Sequence, residues 1–247
     1  VGLVPVGNLQ RGGRDPRRFV VLAISVPIVA FAVLGGTSTF VGLKSASSEE
    51  RTIADVAVYD RVVTRDEVND HCVASGRVST LQPPPADTYG VGVYNLDPTL
   101  YWRLNEAQAT TTAADSGKDA YTGTYATAVQ RGQAGALTGV ANNSALFAGS
   151  ATVVGTRQVS GPDSYAVEAW FKTTSTTGGK IIGFGNAAAG SLSSNYDRHI
   201  YMDAAGIVRF GVYNGASVTI ASTGPLNNGQ WHHVVGQMGP SGMEFYV

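Results

Sequence analysis

The chain has 247 residues, a formal net charge of -1, 14% charged residues and 43% hydrophobic ones. A near-neutral chain without a basic stripe lacks the electrostatic footing for nucleic-acid binding. Its one cysteine, Cys72, excludes an internal disulfide and leaves no CxxC or Cys/His metal spacing, so the fold rests on packing. The 31 glycines, with frequent Ser and Thr, favour short strands and tight turns over long helices.

Residues 1–75 form a first block. Phe19 to Leu34 is nearly all apolar and follows Arg17-Arg18. Two readings stay open: a charged start and apolar middle resembling a signal or membrane segment, or two buried strands broken near Pro27. The residues ahead of the run, Pro27 within it and a length short of a ~20-residue membrane span favour strands, and membrane attachment is not expected. FVGLK reads as another strand. So does TIADVAVYDR, where apolar residues alternate from Ile53 to Tyr59. A short helix is expected near 64–72, in TRDEVNDHC. Thr64 can cap it, Glu67 completes a capping box, and Val68 with Cys72 makes a small apolar face.

Residues 76–86 read as a Pro-rich linker, because Pro83-Pro84-Pro85 is stiff and extended. From residue 99 to 247 every segment is strand-like. LYWRL, TGTYATAV, SALFAG, ATVVGT, GKIIGFGN, SVTIAS, WHHVVGQM and MEFYV are short and punctuated by Gly, Asn, Asp and Ser. SYAVEAWFKT alternates, with Tyr165, Val167, Ala169 and Phe171 on one face and Ser164, Ala166, Glu168 and Trp170 on the other. HIYMDAAGIVRFGVY reads as a hairpin turning at Asp203-Ala204-Ala205-Gly206. Short strands at regular spacing point to a sandwich or jelly roll.

The ordered run SYAVEAWFKT, GGKIIGFGN, YDRHIYMD, GIVRFGVY and GQWHHVVGQM resembles the laminin-G-like jelly-roll family of concanavalin-type sandwiches, in the version found in large secreted actinobacterial proteins. DTYGVGVYNLDPTLYWRLNEA and AADSGKDAYTGTY resemble the opening of the same domain. The resemblance implies an all-β, antiparallel two-sheet jelly-roll sandwich over 87–247, C-terminally incomplete. TIADVAVYDRVVTRDEVNDH resembles the last strand and closing helix of such a domain. Residues 1–75 are then either the C-terminal part of a preceding laminin-G-like domain or the completing strands of the same sandwich. Incomplete sheets leave strand edges that favour self-association. In function the resemblance implies a non-catalytic, extracellular module that binds carbohydrate or a cell-surface glycan. The alternatives are a structural spacer repeat in an adhesin and an ancillary domain of a secreted carbohydrate-active enzyme.

The chemistry legible in the residues agrees with a non-enzyme. Glycosidases need two carboxylates across the sugar bond, and no E-x-D-x-x-E strand occurs; Glu168 and Glu244 each stand alone in their segments. His232 and His233 are adjacent in a strand and point to opposite faces, so they do not share a metal. Trp231 beside them reads as core. G-x-S-x-G and phosphate loops are absent. Calcium is the metal to weigh, since ADSGKDAYTG offers Asp115 and Asp119 in a Gly-bearing turn. Lys118 between them and the tendency of Asp to bond its own backbone favour a purely structural turn. The best-stocked ligand cluster is Tyr196, Asp197, Arg198, Tyr201, Tyr213 and Asn214, where aromatics would stack on sugar rings and polar groups bond hydroxyls. Asp197 is also a second candidate metal ligand, or an ion pair with Arg198.

Overall fold

The structure, a computed structural model, describes residues 55–79, 81–149, 152–155, 161–187, 193–213 and 215–247. The run Phe19 to Leu34, the FVGLK segment and Asn214 lie outside the described residues. The chain divides into two units, residues 1–81 and 82–247.

In the first unit, the helix expected near 64–72 is α1, Arg65–Ala74. The Thr64 hydroxyl accepts from the Glu67 amide at 3.2 Å, and Glu67 Oε2 accepts from the Thr64 amide at 2.8 Å. Arg61 adds a bond to Glu67 Oε1 at 2.7 Å. The Arg61 guanidinium and the Thr64 amide hold the Glu67 carboxyl down to about 2. The alternation up to Tyr59 was expected to make a strand. Residues 55–59 carry no strand pairing, and Val56 and Val58 are exposed. Alternation alone does not make a strand; its amides and carbonyls must also find a ladder.

The second unit opens with a helix that the sequence reading did not place, α2, Thr88–Asn95. Its sequence, TYGVGVYN, holds two glycines and two valines, poor helix formers all. Caps and packing override that preference. Asp87 Oδ1 accepts from the Gly90 amide at 2.8 Å, and Arg103 closes an ion pair on Oδ2. Gly90 has no room for a side chain, because a Cβ there would lie 2.5 Å from Pro85 Cβ. Tyr94 donates its hydroxyl to the Gln82 carbonyl. Gln82 and Pro85, read as linker, thus lie against this helix.

Short sheets follow. Strands β1 (Thr112–Ala113), β2 (Gly123–Tyr125) and β5 (Val153–Gly155) pair in the order β1-β2-β5, and β3 (Gln130–Ala134) pairs with β4 (Asn143–Leu146). Ala113, Tyr125 and Val129 form their small core, with Trp102 and Leu104 against it. Two larger antiparallel sheets make the sandwich. One orders β10-β9-β8-β7, with β7 Gly179–Gly185, β8 Tyr196–Met202, β9 Ile207–Tyr213 and β10 Ser217–Pro225. The other orders β12-β11-β6, with β6 Tyr165–Lys172, β11 Trp231–Gly239 and β12 Gly242–Tyr246. The second unit is therefore the expected all-β sandwich, with α2 added.

The main core lies between these two sheets. Ile200, Met202, Val208, Phe210 and Val212 come from one, Val167 and Val234 from the other. The alternation read in β6 holds, since Tyr165, Val167, Ala169 and Phe171 all face this core. The expected hairpin is β8–β9. Gly206, at φ +82°, donates its amide to the Asp203 carbonyl at 3.0 Å; that left-handed conformation suits glycine. Trp231, read as core, is half-buried and lies on the face of β11 opposite Val234.

Candidate functional site

Strand parity sorts the expected ligand cluster. In β8, Ile200 and Met202 turn inward, so His199 and Tyr201 face outward; in β9, Val208, Phe210 and Val212 turn inward, so Arg209, Gly211 and Tyr213 face outward. Tyr196, His199 and Tyr201 run as a line of rings, with centroids 6.1 and 4.9 Å apart. Tyr196 is 52% exposed and Tyr213 60% exposed. His199 pairs in register with Gly211 of β9, while Gly183 of β7 approaches its Cβ on the other side. Two glycines therefore leave the imidazole standing in a shallow trough. The Lys180 ammonium lies 5.0 Å from the Tyr196 ring centre. Burial and the Lys180 charge push the His199 pKa down, against a smaller upward pull from Asp197. His199 Nδ1 has no hydrogen-bond partner.

The structure does not bring Asp197 and Arg198 to this surface as free recognition groups. Asp197 Oδ1 accepts from the Arg198 amide at 2.7 Å and from the Tyr213 amide at 2.8 Å. The Arg198 guanidinium closes on Asp197 Oδ2 and lies 5.3 Å from the Tyr165 ring centre. Together they tie β8 to β9, and Asp197 forms the ion pair with Arg198. Arg198 also takes φ +49°, where the β7–β8 register shifts. Of the expected cluster, Tyr196, Tyr201 and Tyr213 share a face, and His199, which sequence reasoning missed, lies among them.

The Asp115 turn does not fit calcium. Asp115 is buried, its Oδ1 accepts from the Tyr101 amide at 2.8 Å and the Gly117 amide at 2.9 Å, and Oδ2 accepts from the Tyr121 amide at 2.8 Å. Both oxygens are thus turned to donors, not to a cation. The buried Lys118 ammonium, 3.6 Å from Asp97 Oδ1, adds positive charge in the same turn. Asp119 is half-buried beside it. Among the described residues no group of three or more His, Cys, Asp or Glu side chains is placed to hold a metal.

A second constellation occupies the outer face of the other sheet. His233 stacks on Trp170, with centroids 4.8 Å apart and planes at 20°. Its Nε2 lies 3.2 Å from Glu168 Oε1, close enough for an ion pair but off the line of a hydrogen bond. Tyr89 of α2 donates to Glu168 Oε1 at 2.7 Å and accepts from Trp170 Nε1 at 3.0 Å. Burial, with the bond to Glu168, pushes the Tyr89 pKa above its ordinary value. His232, on the core face, lies 5.7 Å from Phe171 and bonds Asn228 at 2.9 Å. The two histidines thus face opposite ways, as their adjacency requires. Beside Trp170 an open groove of about 610 Å³ runs between the start of α2 and the β3–β4 loop.

Comparison with protein families matches residues 143–247 to the concanavalin A-like lectin/glucanases superfamily, in its laminin-G-like form. Neither the comparison with curated proteins nor that with solved structures gave a match. The match runs from β4 to β12 and takes in both large sheets and the core between them. The match supports a laminin-G-like jelly-roll domain of the concanavalin A-like superfamily over residues 143–247.

Proposed function

We propose that the chain acts as a non-catalytic, extracellular module that binds carbohydrate or a cell-surface glycan. The observation that carries this reading is the Tyr196–His199–Tyr201 line, laid open by Gly183 and Gly211 on the outer face of a rigid sheet. A pyranose has one face of C–H groups that packs on an aromatic ring, and a rim of hydroxyls that needs donors and acceptors. Tyrosine and histidine supply both from one side chain. Sites carried on strands are also held more precisely than sites on loops.

The non-catalytic part rests on the carboxylates. Glycoside hydrolysis asks for an acid and a second carboxylate flanking one bond. Asp197 is occupied by two amides and a guanidinium, and Glu168 is shared between Tyr89 and His233 and faces Val235 across the sheet. An extracellular setting accords with the family. No helix among the described residues is long and apolar enough to cross a membrane.

The test is glycan binding by the full chain against a panel of soluble polysaccharides, with Tyr196→Ala and Tyr201→Ala alongside. Binding weakened by at least about tenfold in both variants, equivalent to about 1.4 kcal/mol, supports the reading. Absence of binding to every glycan would leave a structural spacer instead, and polysaccharide hydrolysis by the purified chain would overturn the non-catalytic part.

A further inference from the structure

We infer that the groove beside Trp170 is a second carbohydrate site, which takes an uncharged pyranose and makes the module bivalent. The inference rests on the carbohydrate reading above but on different residues, on the opposite sheet. The outer faces of the β7–β10 sheet and of the β6–β11–β12 sheet point away from each other, because the main core lies between them.

Trp170 is fixed without being buried. Its back face is stacked on His233, its Nε1–H is bonded to Tyr89, and Tyr89 is itself anchored on Glu168. Even so, Trp170 stays 38% exposed and lines the groove. Three side chains, Tyr89 of α2, Glu168 of β6 and His233 of β11, thus hold the indole in one orientation and leave it open to solvent. A ring held this way loses little conformational entropy when a ligand stacks on it, which favours binding. The groove volume falls in the range usual for small-molecule sites.

The lining selects the ligand. Its ionic side chain is Asp87, and both Asp87 oxygens are committed, one to the Gly90 amide and the other to Arg103. No free charge therefore awaits an acidic or basic ligand. Leu137 supplies apolar wall, while Thr88 and Thr138 bring hydroxyls. An aromatic floor, an apolar wall and neutral hydroxyls suit a neutral sugar ring, with its apolar face down and its hydroxyls outward.

The test uses the full chain with beads carrying neutral glucan, mannan, xylan or chitin oligosaccharides. Thr138→Arg fills the groove from an exposed loop position and Trp170→Ala removes its floor; melting temperature checks that each variant is folded. The expected result for the unaltered chain is two equivalents of oligosaccharide bound and beads bridged. Thr138→Arg, Trp170→Ala and Tyr201→Ala are each expected to bind one equivalent and to lose bridging. One equivalent bound by the unaltered chain would overturn the inference, as would two equivalents and intact bridging in Thr138→Arg. If Tyr201→Ala alone abolishes all binding, the groove is not a site and the proposed function stands. If no neutral glycan binds, both readings fall together.

Discussion

The ring of Phe210 lies directly against the Cα of Gly236, so that a Cβ built on Gly236 would come within 2.5 Å of Phe210 Cδ2. Phe210 is fully buried at the centre of the core, and Gly236 sits on β11 of the facing sheet. The missing side chain at 236 is what lets the ring close the gap between the sheets. Gly236→Ala should overpack this point and destabilise the domain by about 1–3 kcal/mol. Gly224→Ala, where nothing lies within 4 Å of a built Cβ, should change stability by less than about 1 kcal/mol. Urea unfolding of the two variants side by side checks the difference; equal midpoints would mean that the sheets are not packed as described.

Asp115 gathers the turn around it by accepting three backbone amides from a buried position. Asp115→Asn keeps the size but replaces one acceptor by an NH2 group, so one or more of the Tyr101, Gly117 and Tyr121 amides meets a donor. Hydrogen bonds to charged acceptors contribute about 1.5–3 kcal/mol each, and stranded buried donors add to the cost. The variant should lose about 3 kcal/mol by chemical unfolding. The loss should be the same with millimolar calcium or with chelator; a calcium-dependent difference would mean that a cation, not the backbone, is what Asp115 serves.

Much of this architecture was legible because it is local. The period-two alternation of Tyr165 to Phe171 gave the buried face of β6, and Thr64 with Glu67 marked the start of α1. What was not legible is what depends on distant partners. Helix α2 is built from TYGVGVYN and held by Asp87, Arg103 and Pro85, none of which improves its intrinsic propensity. Strand β3, QRGQA, has no apolar alternation to announce it. Tyr89 meets Glu168 and Trp170 across 79 and 81 residues, so no spacing rule could have joined them. The sequence grouped Tyr196, Tyr201 and Tyr213 by residue type alone, and their shared outer face emerges only from the strand pairing. Plain alternation would turn Tyr196 inward with Ile200 and Met202; a β-bulge at Arg198 returns it to the outer face beside His199, and residue type does not reveal that bulge.

The sheet that carries the Tyr196–His199–Tyr201 line should be sensitive to mild acid. Burial and Lys180 hold the His199 pKa below its ordinary value, so the folded state keeps the ring neutral where an unfolded chain would already be protonated. The unfolded state then binds more protons, and stability rises with pH through that window. The contribution is intact above about pH 6.5, the ordinary histidine value, and is lost as pH falls from there toward the folded value. His199→Gln should flatten this part of the stability–pH profile. A wild-type profile parallel to that of the variant between pH 7.5 and 5 would mean that His199 titrates as freely folded as unfolded.

Asp87 should give the opposite signature at lower pH. Arg103 draws the Asp87 carboxyl below the usual aspartate range, helped by the Gly90 amide and opposed by burial. A depressed carboxylate pKa stabilises the fold above the unfolded value, about 3.9, and that contribution disappears as pH falls through the folded value. Asp87→Asn removes the charge at every pH and leaves Arg103, whose side chain is 9% exposed, without its counter-ion. The variant should therefore be less stable by about 2 kcal/mol at pH 7, in the range for a charged hydrogen bond. The gap should narrow as pH drops below about 4, because the wild-type carboxyl becomes protonated and the pair breaks there as well. Since Asp87 caps the helix that carries Tyr89, Trp170 fluorescence should shift together with the unfolding of α2 in the same titration. A stability gap unchanged from pH 7 to pH 3 would show that the loss in Asp87→Asn comes from altered packing, and that the Asp87–Arg103 pair does not anchor α2.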